Sequence, residues 1–339
     1  MKQARLVEPE KVVFEEVPKP SPGENQVLIQ VRRIGICGSD IHAYYGKHPY
    51  ICCPIVQGHE FSGEVVELGA KVDGCSIGAK VTVRPQVVCG RCYHCLNGDY
   101  HICNNLKVIG CQTDGAAREY IAVDQDLVVE LPPDMTFDQG AMVEPLAVGV
   151  HALSRLGDVK NRRLLVLGAG PIGNLTAQVA LGKGAEAVMI TDLSAFRLGI
   201  ARDCGIDFSV NVAQQLLESE LESRFGSDGA DAILECVGAQ ETMEQAITLA
   251  RKGSDILVVG VFSDKIRVDI GLVQDKELRL IGTLMYQSRD YRTAIEMIRS
   301  GKVNVDPLIT THFPFPEYAR AYLYLEKYGD RSMKVLIDL

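Results

Sequence analysis

A glycine-rich turn between an apolar run and a helix-forming stretch sets the strongest limit on how this chain can fold. Arg162 to Leu167 reads as a short buried strand, and Gly168-Ala169-Gly170-Pro171-Ile172-Gly173 follows it directly. Helix-forming residues then continue to about Leu181. A strand, this turn and a helix together are typical of the first βαβ unit of a doubly wound parallel sheet.

The residues of this turn have separate physical roles. Gly168 permits the tight turn, Gly170 lets the backbone approach a pyrophosphate, and Gly173 lets the helix pack closely on the sheet. The turn opens the helix with Pro171 and Ile172, and the first N–H groups of a helix attract phosphate oxygens. We therefore predict a dinucleotide-binding site formed by Gly168, Gly170, Pro171, Ile172 and Gly173.

An acidic residue follows at the distance that this kind of site requires. Asp192 comes 19 residues after Gly173, at the end of the next predicted strand, Ala187 to Thr191. Its carboxylate can accept hydrogen bonds from both hydroxyls of an adenosine ribose and would repel a 2′-phosphate. The sequence therefore favours NAD over NADP as the cofactor. Arg197 either stacks on the adenine or carries an ordinary surface charge.

The pattern of the chain changes near residue 150. Before it, Gln26 to Ile34 and Phe61 to Leu68 alternate apolar and polar residues, and glycine and proline break up the runs. Short strands of this kind predict an antiparallel, barrel-like β domain over residues 1–150. After it, apolar strands alternate with helices, which predicts an α/β domain with a parallel sheet over residues 151–290. We expect residues 291–339 to return to the first domain.

Four cysteines lie close together in the first part of the chain. Cys89, Cys92, Cys95 and Cys103 have the spacing Cys-x2-Cys-x2-Cys-x7-Cys, which suits a tetrahedral zinc ion. An iron–sulfur cluster also takes four thiolates, but nothing else in the chain suggests electron transfer. A site closed by four protein ligands has no position for a substrate, so its predicted role is structural.

Composition and charge exclude several classes of protein. The formal net charge of −9 argues against a nucleic acid or an anionic membrane surface as the partner. No apolar stretch approaches the roughly 20 residues that a membrane-spanning helix needs. The first residues are charged and do not resemble a secretory signal, and the eleven cysteines are an odd number. We therefore expect a cytoplasmic protein with reduced thiols.

Three short motifs complete the pattern. They are Gly35-Ile36-Cys37-Gly38-Ser39-Asp40-Ile41-His42, Gly58-His59-Glu60 and Glu144-Pro145-Leu146. Each is weak by itself. Together with the four cysteines and the nucleotide motif, and in the same order, they resemble the zinc-containing medium-chain dehydrogenases, which include sorbitol, threonine and sugar-acid dehydrogenases. The resemblance covers essentially the whole chain and implies a GroES-like catalytic domain and a Rossmann NAD-binding domain.

The resemblance also implies the roles of individual residues. Cys37, His59 and Glu144 would bind a catalytic zinc ion, the second zinc of each chain, and leave one position open. Glu60 would approach or transiently ligate this ion, and Asp40 would orient His59. Zinc would lower the pKa of a substrate alcohol, and Ser39 and His42 would relay its proton to solvent. Val237 and residues 282–286 would line the nicotinamide end of the cofactor.

The choice of substrate depends on a shorter resemblance. Residues Val108 to Tyr120 resemble bacterial dehydrogenases of L-gulonate, L-idonate or L-galactonate, although those more often have His and Gly-Gly where this chain has Gln112 and Gly115-Ala116. Arg84 or Arg118 would pair with a substrate carboxylate, or each forms an ordinary salt bridge. We expect oxidation of L-gulonate at C5 to D-fructuronate.

Other functions remain open at this point. The enzymatic alternatives are a sorbitol-type polyol dehydrogenase and an L-threonine 3-dehydrogenase, which differ in the charge and hydroxylation of the substrate. The alternative outside enzymes is a non-catalytic regulator that kept the zinc and NAD sites, but such a protein needs no proton relay. The resemblance further implies a homodimer or homotetramer formed through the edge of the Rossmann sheet.

Overall fold

The chain divides into two units in the computed structural model, which describes residues 1–339. The first unit consists of Met1–Glu144, Gln287–Tyr291 and Ile309–Leu339, and the second of Pro145–Tyr286 and Arg292–Leu308. None of the helices has the length and apolarity needed to span a bilayer.

Strands and helices follow one another in this order along the chain. The strands are β1 (Lys2–Glu8), β2 (Lys11–Glu16), β3 (Gln26–Gly35), β4 (Glu60–Leu68), β5 (Lys80–Val83), β6 (Gln86–Val87), β7 (Lys107–Val108), β8 (Tyr120–Asp124), β9 (Val128–Glu130), β10 (Arg163–Leu167), β11 (Ala187–Asp192), β12 (Phe208–Asn211), β13 (Ala232–Glu235), β14 (Asp255–Val258), β15 (Arg279–Gly282), β16 (Ile309–Pro314) and β17 (Lys334–Asp338). The α-helices are α1 (Gly38–Tyr44), α2 (Tyr93–Leu96), α3 (Phe137–Ala141), α4 (Val143–Leu156), α5 (Pro171–Gly182), α6 (Ala195–Asp203), α7 (Leu217–Phe225), α8 (Gln240–Leu249), α9 (Ile270–Asp275), α10 (Ser288–Arg299) and α11 (Tyr318–Tyr328). Single 3-10 turns lie at Tyr100–Ile102, Gln125–Leu127, Asp306–Leu308, Phe315–Glu317 and Gly329–Arg331.

The first unit is built on a seven-stranded sheet. Six strands lie in the order β16-β17-β3-β4-β5-β9, and β8 pairs with β3. All pairs are antiparallel except β16 with β17. The alternation in β3 predicted this arrangement, because Val27, Ile29 and Val31 point into the core of this unit. The prediction of an antiparallel β domain in the first unit is therefore confirmed.

The second unit contains a six-stranded parallel sheet. Its strand order is β12-β11-β10-β13-β14-β15, which is the 3-2-1-4-5-6 order of a doubly wound nucleotide-binding fold. The order reverses between β10 and β13, and ligands of such sheets bind outside the carboxyl ends of the strands at this reversal. The Rossmann fold is therefore confirmed, and its switch point lies beside residues 168 and 236.

One segment lies elsewhere than the sequence suggested. We expected residues 291–339 to return to the first unit, but Arg292–Leu308 belongs to the second. The reason is that Gln178 in α5 exchanges two hydrogen bonds with the backbone of Asn304, donating to its O at 3.1 Å and accepting from its N–H at 2.7 Å. Val303 and Val305, which flank Asn304 in the sequence, are both buried.

Candidate active site

The glycine turn after β10 has two glycines that the chain itself requires. Gly168 has a φ of +99°, where a residue with a side chain is strained. A Cβ atom on Gly173 would lie 1.9 Å from the carbonyl oxygen of Gly168, so only glycine allows α5 to begin this close to the turn. Both observations agree with the roles predicted for these residues.

Gly170 is different, because nothing in the protein explains why it is glycine. It caps α5 with ordinary extended angles, a φ of −64° and a ψ of 177°. A Cβ atom here would meet only one atom, Nη1 of Arg197, at 4.0 Å. The space that a side chain would fill lies in front of the free N–H groups of a twelve-residue helix. This empty cradle fits the pyrophosphate of a dinucleotide.

The carboxylate of Asp192 lies at the end of β11, beside the same turn. Its Oδ2 accepts a hydrogen bond from the N–H of Ala169 at 2.9 Å, and its Oδ1 accepts one from the N–H of Ser194 at 2.8 Å. Each oxygen has a further lone pair for a ligand hydroxyl. Arg197 places Nη1 4.0 Å from Oδ2 of Asp192, so a positive group also lies near this position.

A buried glutamate shapes the turn on the other side of the switch point. Glu235 ends β13 with no exposed surface, and its Oε1 accepts hydrogen bonds from the N–H groups of Val237 and Gly238 at 2.9 and 2.8 Å and from Thr242 at 2.7 Å. A Cβ atom on Gly168 would lie 2.6 Å from Cγ2 of Val237. The structure therefore places Val237 against the nucleotide turn. Sequence analysis missed Glu235.

The four clustered cysteines meet in the first unit with the geometry of a metal site. The Sγ atom of Cys92 lies 3.5 Å from that of Cys95 and 3.9 Å from that of Cys103, and the latter lies 3.5 Å from Cys89. Four sulfurs at the Zn–S bond length would be separated by about 3.8 Å in a tetrahedron. The four thiols therefore fit zinc without rearrangement.

Backbone groups prepare part of this cluster for the thiolate form. Hydrogen bonds from the N–H of Arg91, from the Cys103 thiol and from the N–H of Cys92 lower the pKa of Cys89 to about 6. Burial and the neighbouring thiols raise the pKa of Cys95 to about 12. Four thiolates this close together would repel one another, so a cation is needed to hold all four cysteines in the thiolate form.

A second group of metal-ligating side chains lies at the start of α1 and of β4. The ligand atoms of Cys37, His59 and Glu60 all lie within 4.8 Å of one another. Cys37 is the residue before α1, and its N–H donates to Oδ2 of Asp40 at 3.0 Å, which fixes the first turn of that short helix. A thiol, an imidazole and a carboxylate are the donor set of a catalytic zinc site.

His59 is oriented by two groups on one side of its ring. Its Nδ1 lies 3.6 Å from Oδ1 of Asp40 and 3.8 Å from Sγ of Cys111. Burial disfavours the charged ring, but Asp40 and the two nearby thiols outweigh it and raise the pKa of His59. Because both neighbours face Nδ1, Nε2 remains for a metal ion. Cys111 belongs to none of the metal-binding motifs that the sequence analysis identified.

Glu60 has a partner that the sequence did not reveal. Nζ of Lys334 donates to its two carboxylate oxygens at 2.6 and 2.8 Å and to the carbonyl of Ile36 at 3.2 Å. Burial opposes the charge of Lys334, but Glu60, Cys37 and Glu144 outweigh it and raise the pKa of the lysine. Glu144 is buried near this lysine in the first turn of α4, although it is not one of the three clustered ligands.

Comparison with known proteins identifies the family. The model of the alcohol dehydrogenase GroES-like domain matches residues 23–133, and that of zinc-binding dehydrogenases matches residues 171–300. A sorbitol dehydrogenase from Halalkalibacterium halodurans is 37% identical over 327 residues, which cover 95% of this chain and 94% of that protein. The chain belongs to the zinc-containing medium-chain alcohol dehydrogenases. It is therefore an oxidoreductase that acts on CH–OH groups.

Other relatives of this dehydrogenase act on different substrates. An L-threonine 3-dehydrogenase from Pyrococcus furiosus is 34% identical over 318 residues, 92% of this chain and 90% of that protein. An L-idonate 5-dehydrogenase from Vitis vinifera is 32% identical over 329 residues, 94% of this chain and 90% of that protein. The family is thus shown, whereas the relatives divide among polyol, amino-acid and sugar-acid substrates.

Solved structures agree with the fold over the whole length. A zinc-binding dehydrogenase from Sinorhizobium meliloti bound to NADP has a TM-score of 0.92 and 29% identity, covering 100% of this chain and 99% of that one. An alcohol dehydrogenase from Escherichia coli complexed with NADH has a TM-score of 0.93 and 30% identity, again covering 100% and 99%. Both neighbours hold a nicotinamide dinucleotide, one with and one without the 2′-phosphate.

The two residues of the expected proton relay lie on α1 of the dehydrogenase. Ser39 is half-buried and His42 is exposed, three residues further along the helix. Residues three apart lie on the same face of a helix, so the side chains of Ser39 and His42 are neighbours along one face of α1. Along this face, the side chains pass from the half-buried Ser39 to the solvent-exposed His42.

The two arginines considered as carboxylate anchors differ in their surroundings. Nη2 of Arg118 lies 3.4 Å from Oδ2 of Asp114, which also lies 3.5 Å from Nη2 of Arg5. Arg84 instead donates to the main-chain carbonyl of Asp126. In the β4–β5 register Ser62 opposes Thr82, so its continuation would place residue 84 opposite Glu60. Arg118 therefore matches the salt-bridge alternative, whereas Arg84 remains a candidate anchor.

Proposed function

We propose that this dehydrogenase uses NAD to oxidise a secondary alcohol of a sugar acid, with L-gulonate converted at C5 into D-fructuronate. The single observation that carries the reaction type is the cluster of the half-buried Cys37 with the buried His59 and Glu60, in a chain of the zinc-containing dehydrogenase family.

The catalytic metal would be held by Cys37, His59 and Glu144. A zinc ion at such a site supplies a Lewis acid that makes the substrate hydroxyl easier to deprotonate. Asp40 and Cys111 both face Nδ1 of His59, and Lys334 donates hydrogen bonds to both carboxylate oxygens of Glu60. Glu60, which Lys334 holds in the cluster, would be a fourth protein group able to approach the ion when no substrate is bound.

Ser39 and His42 would remove the proton of the substrate hydroxyl. Ser39 accepts the proton near the metal cluster, and His42 passes it to water because its side chain is exposed. A bound nicotinamide cofactor would supply the acceptor for the hydride that leaves the substrate carbon.

NAD is the proposed cofactor, with its adenosine ribose on Asp192. The carboxylate is fixed by two backbone N–H groups and has lone pairs left for two ribose hydroxyls. Its negative charge opposes a 2′-phosphate, although Arg197 nearby reduces this effect. Val237 would face the nicotinamide end, held by the contacts of Glu235.

We assign a second, structural zinc ion to Cys89, Cys92, Cys95 and Cys103. The sulfur separations support this assignment, since they already match a tetrahedral ion. Four protein ligands leave no open coordination position, so this ion would stabilise the fold of residues 89–103 without taking part in the reaction. The proposed total is two zinc ions per chain.

The L-idonate dehydrogenase relative and Arg84 support a sugar-acid substrate. A different observation favours a hexitol as the substrate. The relative with 37% identity is a sorbitol dehydrogenase. The two candidates are chemically close, because sorbitol is L-gulonate with its carboxylate reduced to a primary alcohol. The two compounds are numbered from opposite ends, so the carbon that is oxidised as C5 of L-gulonate corresponds to C2 of sorbitol. The carboxylate alone therefore distinguishes the two substrates.

This pair of substrates provides the test. Zinc-replete enzyme with NAD should form NADH faster from L-gulonate than from sorbitol, L-threonine or simple alcohols. Arg84→Gln should then raise KM for L-gulonate and leave KM for sorbitol unchanged, while Arg118→Gln should not discriminate between them. A preference for sorbitol in the unmodified enzyme would establish the polyol alternative and remove the carboxylate anchor.

We also propose that the enzyme is a homodimer or homotetramer joined through the edge of its parallel sheet. Strand β15 is the last strand of that sheet and has one neighbour, β14. Its Leu280 is 39% exposed, and the open edge offers backbone groups for pairing with a second copy. Light scattering after size-exclusion chromatography should give twice or four times the chain mass, and a monomer would contradict the proposal.

A further inference from the structure

A buried glutamine connects the metal cluster to the C-terminal helix of the first unit. Gln57 lies two residues before His59 and its side chain is 1% exposed. Its Nε2 donates to the main-chain carbonyl of Asp40 at 3.0 Å, and its Oε1 accepts a hydrogen bond from the hydroxyl of Tyr322 at 3.1 Å. The carboxamide is thus oriented from both ends.

Tyr322 contacts α1 in a second way. Its ring stacks on that of Tyr44 with centroids 4.5 Å apart and an interplanar angle of 10°. Its hydroxyl also shares a hydrogen bond of 2.9 Å with that of Tyr318, and both tyrosines are buried. Helix α11 therefore holds α1 at two points, one through Tyr44 near its end and one through Gln57 at Asp40.

Helix α1 needs such external support. It has only seven residues, too few to be stable without tertiary contacts. Cys37 precedes it, and its third residue, Asp40, binds the N–H of Cys37 and faces His59. A small rotation of this helix would therefore move both a metal ligand and the group that orients another.

We propose that Gln57 and Tyr322 are positioning residues for the catalytic metal site, acting through α1. This inference rests on the proposed function, because it assumes that Cys37 and His59 hold the catalytic zinc ion. The Tyr322 hydroxyl fixes Oε1 of Gln57, which leaves Nε2 to hold the carbonyl of Asp40 and thereby sets the relative positions of Cys37 and His59. Packing alone does not require these polar groups. Phenylalanine in place of Tyr322 and leucine in place of Gln57 would fill a similar volume without burying polar atoms.

The experiment compares Tyr322→Phe and Gln57→Leu with the unmodified enzyme, and uses Tyr324→Phe as a matched control. Tyr324 lies on the same helix, and its hydroxyl binds Thr311 at 3.2 Å instead of the cluster. For each protein we would measure thermal unfolding, zinc affinity, the visible spectrum after cobalt replaces the catalytic zinc, and kcat and KM for NAD. The double variant Gln57→Leu/Tyr322→Phe tests whether the two residues act as one unit.

We expect Tyr322→Phe to lower kcat roughly tenfold, to weaken zinc binding and to shift the cobalt spectrum, because misplacement of the ligands costs rate. KM for NAD should not change, Tyr324→Phe should behave as the unmodified enzyme, and the double variant should be no worse than Gln57→Leu. An unchanged cobalt spectrum and zinc affinity, with only a lower unfolding temperature, would overturn the inference. An unmodified enzyme that binds no catalytic metal would instead overturn the proposed function.

Discussion

Lys334 donates hydrogen bonds to both carboxylate oxygens of Glu60, at 2.6 and 2.8 Å, and the two side chains are 4% and 1% exposed. The residues are 274 positions apart in sequence. Strand β17 carries Lys334 and β4 begins at Glu60, so the tail of the chain supplies the charge that allows a carboxylate to be buried beside the metal cluster. A buried charge needs such a partner, since burial without one is very costly.

Replacing Lys334 with methionine should strongly destabilise the fold. Glu60 would remain buried without its partner, which typically costs about 3–5 kcal/mol of unfolding free energy. Denaturant unfolding of the metal-free protein measures this change. The control is Lys334→Met/Glu60→Gln, which should regain most of the loss because residue 60 then carries no charge that needs Lys334 as its partner. A loss of less than about 1 kcal/mol in the single variant would show that the pair is not needed for stability.

Gly170→Ala should weaken cofactor binding and leave the fold intact. Its methyl group would enter the space in front of α5, where it meets no protein atom closer than 4.0 Å. We expect NAD affinity, measured by quenching or calorimetry, to fall at least roughly tenfold, while the unfolding free energy stays within about 0.5 kcal/mol. Gly173→Ala is the contrast, because its methyl group would lie 1.9 Å from the carbonyl of Gly168 and should destabilise the protein. Unchanged NAD affinity in Gly170→Ala would place the pyrophosphate elsewhere.

Asp192→Gly should reduce the preference for NAD. The variant loses the acceptors for the ribose hydroxyls and the charge that repels a 2′-phosphate, while Arg197 remains nearby. We expect the ratio of kcat/KM for NAD to that for NADP to fall by roughly tenfold or more, which corresponds to loss of about one charged hydrogen bond. The matched control is Asp203→Gly, a change of the same kind at the end of α6. Unchanged cofactor preference would contradict the assignment of Asp192.

Glu144→Ala should remove one zinc ion and keep the other. The structural ion proposed at the four cysteines would not depend on this residue, so metal analysis should give close to one zinc per chain, and activity should be lost. Glu60→Ala is the comparison, because Glu60 and not Glu144 lies in the cluster with Cys37 and His59. If Glu60→Ala loses an ion while Glu144→Ala retains both, the third ligand has been assigned to the wrong glutamate.

Local patterns in the sequence were sufficient to predict the fold class of both units and the position of the nucleotide-binding turn. The alternation in β3 and the apolar run of β10 identify strands because each reflects burial along a single segment. Gly168, Gly170 and Gly173 have steric roles within one turn, so their spacing identifies them. The strands β12 and β15 were not predicted, because β12 has only one fully buried residue and β15 is largely exposed, so neither forms an apolar run.

Long-range contacts could not be predicted in the same way. The partners of Glu60 and Gln57 are Lys334 and Tyr322, and no periodicity connects residues 274 and 265 positions apart. One signal was present for Lys334, a lysine within the otherwise apolar run Met333 to Ile337, where a buried charge implies a buried partner. Gln57 precedes Gly58-His59-Glu60 as an ordinary polar residue, and only its burial distinguishes it.

The dependence of activity on the catalytic metal tests the central claim most directly. Chelator-treated enzyme would be assayed for NADH formation from L-gulonate and sorbitol before and after stepwise return of zinc, with metal content measured at each step. We predict that the metal-depleted enzyme oxidises neither substrate and that returned zinc restores the rate, but not in Cys37→Ser. A full rate in enzyme that retains only the four-cysteine zinc would contradict the claim that Cys37 and His59 hold a catalytic ion.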